Sequence, residues 1–184
     1  MSIRLTKEII RSKILLKLKT HKEEDRERKS RIIKNKLLKS SVFKKAKVIM
    51  FYLSFGGEVN TQEMIKAAKK LGKIVSVPIC ENNRITKPCI LTHRAALKKG
   101  PYGVCEPAAK QLISIKDLDL VIVPGLAFDK KGRRLGRGKG CYDYFLKKIP
   151  KKVSTIGLAY DFQILPVIPA TKTDISVNRV IFAS

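Results

Sequence analysis

The chain has 184 residues, of which 44% are hydrophobic, and 40 Lys and Arg stand against 15 Asp and Glu for a formal net charge of +25. At roughly 100–200 residues per domain this is one domain with enough apolar material for a core, which excludes an intrinsically disordered chain. No apolar run reaches the ~18 residues of a spanning helix, and Arg4, Lys7, Glu8 and Arg11 interrupt any signal-type run near the start, so a non-membrane, cytosolic protein is expected.

The first 47 residues carry 17 basic and 5 acidic side chains. Leu5, Ile9 and Leu16, and later Ile32, Ile33, Leu37 and Leu38, recur at helical spacing. They predict two amphipathic helices, over residues 5–20 and 23–40, packed on the rest of the domain with a solvated basic face. The continuous apolar run 48–53 reads as a buried strand. Asn60-Thr61-Gln62-Glu63 then offers an N-cap with an acid at N3, opening a helix that runs to about Leu71 and ends at Gly72. Residues 74–78 are a second strand, and the strand–helix–strand order implies a parallel, right-handed crossover.

Residues 81–116 are punctuated by Pro88, Gly100-Pro101, Gly103 and Pro107 and predict loops and short elements. Residues 120–123 read as a central strand. A Gly-rich segment follows, then a helix over about 142–149, a strand over 153–159 and a last strand near 176–182. The order predicts an α/β fold: a three-layer, Rossmann-like domain over 1–184, with a mostly parallel sheet and helices on both faces.

The chemistry falls to few residue types. Cys80, Cys89, Cys105 and Cys141 form no C-x-x-C pair, and His21 and His93 lie far apart, so neither zinc spacing nor a His-dependent triad is supplied. The positive charge suits a polyanion, whether nucleic acid, an anionic membrane surface or a phosphorylated small molecule, and is equally compatible with general surface composition. Between residues 134 and 143, Gly136, Gly138 and Gly140 alternate with Arg137 and Lys139 on the way from a strand into a helix. Such glycines let backbone N–H groups approach phosphate oxygens while the cations add charge. The run is neither a Walker A loop nor a G-x-G-x-x-G fingerprint, so a phosphate cradle and a plain basic loop both stay open. Asp143, in the first turn of the helix, has the hard oxygens that Mg²⁺ requires, and also suits a helix N-terminus.

The run from Val121 through Leu146, V-I-V-P-G-L-A-F-D and then G-R-R-L-G-R-G-K-G-C-Y-D-Y-F-L, resembles the signature of the 5-formyltetrahydrofolate cyclo-ligase, or methenyltetrahydrofolate synthetase, family. The resemblance spans nearly the whole chain, through Lys7-x-x-x-Arg11, Tyr52-Leu53-Ser54, Glu58-Val59-Asn60-Thr61, Gly103, Glu106-Pro107, Ile156-Gly157-Leu158-Ala159, Gln163, Pro169 and Asp174. Cys141 stands where an aromatic is usual, Asn60 replaces a common acid, and Thr173 occupies a position where His is frequent.

The resemblance implies an ATP-dependent ligase that converts 5-formyltetrahydrofolate to 5,10-methenyltetrahydrofolate with release of ADP and phosphate, through a phosphorylated formyl group. It implies MgATP and a mono- or polyglutamylated folate as partners; a monomer is the default expectation for the chain. Lys7 and Arg11, with Arg134, Leu135, Gly136, Arg137, Gly138, Lys139, Gly140, Cys141 and Tyr142, would bind ATP. Arg137 and Lys139 would stabilise charge in the transition state. Leu53 and Glu58, with Arg137, Gly138, Lys139, Gly140 and Cys141, would bind folate, and Asp143 and Asp174 would hold Mg²⁺. The alternative, a basic nucleic-acid-binding protein, lacks aromatic-interleaved strands and zinc-finger spacing.

Overall fold

The helical spacing of the N-terminal segment becomes α1 (Ile3–Thr20) and α2 (Glu23–Lys39) in the computed structural model, which describes residues 3–81, 84–92, 97–99, 105–107 and 111–183. Glu23, Glu24 and Asp25 occupy the first turn of α2 and Lys36 and Lys39 its last, the arrangement that complements the helix dipole. A short α3 (Ser41–Lys45) follows, capped by the Ser40 hydroxyl, which accepts from Phe43 N at 3.3 Å.

The principal sheet is built from β1 (Val48–Met50), β2 (Ile74–Glu81), β3 (Arg84–Ile90), β6 (Leu120–Val123), β9 (Ser154–Tyr160) and β10 (Arg179–Ala183), in the order β10-β9-β6-β1-β2-β3. Five strands are parallel and β3 is antiparallel to β2. The predicted helix is α4 (Gln62–Lys70), linking the parallel pair β1 and β2, and Asn60 Oδ1 accepts from Gln62 N at 2.9 Å at its start. The last helix, α5 (Cys141–Leu146), is shorter than its apolar spacing suggests.

Alternate residues of the central strands feed two cores. Ile49, Leu120, Ile122, Ile156 and Leu158 join α1, α2 and α4 on one face, while Met50, Val121, Val123 and Ala159 join Phe145 and Leu146 of α5 on the other. Ile14 and Leu18 of α1 and Ile33 and Leu37 of α2 belong to the first core, so the basic N-terminal helices form part of it. In α1 the apolar positions expected to pack, Leu5, Ile9 and Leu16, are exposed instead, because the helix turns Lys7, Ile14 and Leu18 inward.

Two features differ from the sequence reading. Where loops were expected, residues 84–90 form the edge strand β3, with Pro88 opposite Pro78 beyond the end of β1. An edge position demands no N–H from proline, so the residue that argued against a strand is tolerated there. The segment after β6 also contains a hairpin, β7 (Ala127–Phe128) and β8 (Arg134–Leu135), too short for any alternation to register. Two further strands, β4 (Leu97–Lys99) and β5 (Cys105–Pro107), pair with each other. His93, Gly100, Pro101 and Gly103 lie outside the described residues, as do the side chains of Cys80, Cys105, Glu106 and Pro107. No helix among the described residues is long and apolar enough to cross a membrane.

The order of strands positions the site. From β1 the chain moves to β2 on one side and returns through β6 on the other, so β1 and β6 flank a topological switch point. Open α/β sheets form their ligand crevice there, outside the carboxyl ends of the strands.

Candidate active site

A cavity of about 560 Å³ opens at this crevice. Its walls come from the loop after β1 (Tyr52, Leu53, Phe55, Glu58), the segment after β6 (residues 124–126), the run 134–144, α1 (Lys7, Arg11) and the C-terminal segment (Thr171, Thr173, Asp174). Every residue singled out from the sequence for ATP, folate or metal lines this one cavity. Tyr144, Lys147, Phe55, Thr171 and Pro78 line it too and were not anticipated.

The hairpin aims the Gly-rich loop. Asp129, 1% exposed, accepts from Lys131 N at 2.9 Å and Arg133 N at 3.0 Å on Oδ1, and from Arg133 Nε at 2.7 Å and Ile168 N at 3.0 Å on Oδ2. It thereby closes the turn between β7 and β8 and ties it to residue 168. Gln163 Nε2 donates to Gly125 O and Leu126 O at 3.1 and 3.0 Å, holding the segment after β6. The loop then enters α5 through Gly140, the N-cap residue, whose φ of +67° is left-handed and strained for any side chain with a Cβ.

Among the described residues, six cations and three carboxylates surround the cavity. Each carboxylate is paired with a cation. Lys7 Nζ donates to Asp174 Oδ2 at 2.6 Å, Arg134 Nη2 to Asp143 Oδ1 at 2.8 Å, and Arg137 Nη2 and Nε to Glu58 Oε1 at 3.0 and 3.3 Å. Arg11, one turn from Lys7, donates from Nε to Gly136 O at 3.0 Å, joining α1 to the Gly-rich loop. The i, i+4 spacing of Lys7 and Arg11 therefore puts both on the face turned to the cavity rather than on the solvated one.

Burial separates these groups. The Arg134 side chain is 4% exposed, sits 5.7 Å from the Tyr142 ring, and has a buried Nε with no acceptor among the described residues. The Glu58 side chain is 8% exposed. Burial pushes its carboxyl above the usual carboxylate range, and the Arg137 guanidinium and the Phe55 N–H only partly oppose this. Burial acts on Asp174 in the same direction but is outweighed by Lys7 and by the Thr171 N–H and hydroxyl, which hold it below its ordinary value. The Arg137 guanidinium also stacks 4.4 Å over the Phe55 ring.

Asp143 and Asp174 are close: Asp143 Oδ1 also accepts from Ile175 N, the residue after Asp174, at 3.1 Å. Their recorded hydrogen bonds use one oxygen each, Oδ1 of Asp143 and Oδ2 of Asp174. No group of three or more His, Cys, Asp or Glu suited to a metal exists among the described residues. Mg²⁺ needs no such cage, since it is commonly held by one or two carboxylates together with phosphate oxygens and water. The donor set therefore fits Mg²⁺ arriving with a nucleotide. Phe55 was not singled out from the sequence, and Asp129 stood there only as the last residue of the run V-I-V-P-G-L-A-F-D.

Comparison with known proteins agrees with this architecture. Residues 4–183 match the model of the 5-formyltetrahydrofolate cyclo-ligase family. The chain is 32% identical to mouse 5-formyltetrahydrofolate cyclo-ligase, over 94% of this chain and 91% of that protein. It is 30% identical to the Escherichia coli K12 5-formyltetrahydrofolate cyclo-ligase, over 76% and 79%. Among solved structures, the Aquifex aeolicus 5,10-methenyltetrahydrofolate synthetase superposes with a TM-score of 0.85 at 34% identity, covering 96% of this chain and 89% of that one. The Mycoplasma pneumoniae 5,10-methenyltetrahydrofolate synthetase, at 21% identity and a TM-score of 0.76 over 95% and 97%, shares the fold.

Proposed function

We infer the role of each residue in this cavity from one premise: the chain belongs to the 5-formyltetrahydrofolate cyclo-ligase family. It is accordingly a ligase of folate one-carbon metabolism, acting on 5-formyltetrahydrofolate. The observation that carries the residue assignments is the convergence of the Gly-rich loop, Lys7 and Arg11 of α1, and Glu58 on one cation-lined cavity at the switch point.

In the proposed reaction the formyl oxygen on N5 attacks the γ-phosphorus of ATP and ADP leaves. N10 then attacks the activated formyl carbon, closing the five-membered ring, and loss of phosphate and of the N10 proton gives the methenyl product. A reaction of this kind asks the protein for position and positive charge. Lys7, Arg11 and the loop 134–142 bind the nucleotide, with Arg137 and Lys139 facing the charge that develops on the transferred phosphoryl group. Leu53 and Glu58, with residues 137–141, hold the folate, Leu53 by apolar contact and Glu58 as acceptor for N–H groups of the pterin. Asp143 and Asp174 would hold Mg²⁺, which when bound neutralises phosphate charge. The buried Nε of Arg134 supports a second task for that residue as a donor to the nucleotide, beside fixing Asp143. We read residues 1–184 as one domain acting as a monomer in the cytosol, on folate with one or several glutamates.

The test is direct. Purified protein with MgATP and 5-formyltetrahydrofolate is expected to develop the near-ultraviolet absorbance of the methenyl product and to release one phosphate per turnover. Folded protein that produces no such change overturns the reading. Lys139→Ala is expected to lower kcat by about 100-fold or more, the scale seen when a fixed charge-stabilising donor is removed; near-normal kcat removes Lys139 from its assigned role.

A further inference from the structure

The contact between Glu58 and Arg137 joins the two halves of the cavity. Glu58 comes from the loop after β1 and Arg137 from the tip of the Gly-rich loop, 79 positions away. Both Arg137 donors fall on the same carboxylate oxygen, Oε1, while Phe55 N donates to Oε2 at 3.4 Å and the Phe55 ring lies under the guanidinium. The carboxylate is almost wholly buried, whereas the Arg137 side chain is about one-third exposed. The loop that presents Arg137 turns through Gly138 and Gly140, both at positive φ.

We infer that Glu58 is a positioning residue for Arg137, and that breaking this pair couples the two substrates cooperatively. The inference rests on the family reading above. Without ligand, each member satisfies the other. A nucleotide phosphate competes for the same guanidinium, and as Arg137 turns toward it a buried carboxylate is left uncompensated, a costly state. N–H donors of the pterin remove that cost. In the opposite order, a folate that satisfies Glu58 releases Arg137 for phosphate. Each substrate therefore tightens the binding of the other, and by linkage the two effects are equal.

The experiment measures the affinity of a non-hydrolysable ATP analogue with and without 5-formyltetrahydrofolate, and the reciprocal pair, by calorimetry. In the unmodified enzyme each ligand is expected to strengthen the other by roughly 5-fold or more, within the usual range of such couplings. Glu58→Gln keeps the shape but weakens the hold on Arg137. It is expected to bind the analogue alone more tightly than the unmodified enzyme does, and to bring the coupling close to 1. A merely structural role for Glu58 would lower stability without improving nucleotide affinity. Independent or antagonistic binding in the unmodified enzyme overturns the inference without requiring any variant, as does a Glu58→Gln protein that binds the analogue alone no better. An enzyme that turns over yet binds its ligands independently refutes this coupling and leaves the family reading intact. Absence of turnover with MgATP and 5-formyltetrahydrofolate refutes both.

Discussion

Asp129 receives four hydrogen bonds while 1% exposed, and it is not among the residues that line the cavity. Its contribution is to hold the turn from which β8 delivers Arg134 and the Gly-rich loop. Asn at this position offers one acceptor oxygen for four donors, so Asp129→Asn is expected to cost about 2–4 kcal/mol, read by urea unfolding. Burial alone would raise the Asp129 carboxyl, but the donors from Ile168, Arg133 and Lys131 hold it below its ordinary value. A depressed folded value means that the stabilisation is complete above the unfolded value of ~3.9 and is lost as pH falls through the folded one. The stability gap between Asp129→Asn and the unmodified protein should therefore narrow below about pH 4; a gap that stays constant into acid removes the carboxylate from this role. In the sequence Asp129 is only the last residue of the run V-I-V-P-G-L-A-F-D. Its four donors come from residues 131, 133 and 168, whose approach depends on the hairpin, and a two-residue strand has no periodicity to read.

At the scale of elements, the site depends on how closely α1 approaches the loop after β1. Gly57 lies in that loop at a φ of +84°, and a Cβ there would fall 2.7 Å from Leu18 O of α1. The backbone of α1 cannot move aside without shifting Lys7 and Arg11, since all three residues share one rigid helix. Gly57→Ala is accordingly expected to lower Tm by roughly 5 °C or more, from left-handed strain and the clash together. It is also expected to raise KM for ATP, measured with folate in excess, more than KM for folate, measured with ATP in excess; equal changes in the two would show that α1 has not been displaced selectively. α1 was legible as a helix but not in its buried face: the spacing picks Leu5, Ile9 and Leu16, which are exposed, whereas packing covers Lys7, Ile14 and Leu18. α2 was legible from its 3.6-residue spacing, and β6 and β9 from their apolar runs. β3 was not, because Pro88 and its neighbours look like a loop until the chain places them at a sheet edge.

Across the whole molecule, most of the charge of +25 lies away from the cavity, where six cations face three acids among the described residues. Such a surplus raises the local concentration of anionic substrates and is screened by salt. Raising ionic strength from ~50 to ~200 mM should lower kcat/KM for both anionic substrates several-fold while kcat changes little, a dependence measurable by steady-state kinetics. A kcat/KM indifferent to salt would show that the surface charge plays no part in encounter. Nucleic acid should bind only weakly and without preference for sequence, as charge alone dictates.

The sequence by itself determined the alternation of strands and helices, the parallel sheet and the interleaving of glycine with Arg137 and Lys139 before α5, because these follow from local periodicity and from residue types within a few positions of one another. Only the tertiary structure decided which acid meets which cation. Lys7 finds Asp174 across 167 positions and Arg137 finds Glu58 across 79. Spacing along the chain carries no information about such pairs. They form where the strand order β6-β1-β2 opens a crevice and packing brings α1, the Gly-rich loop and the C-terminal segment to its rim.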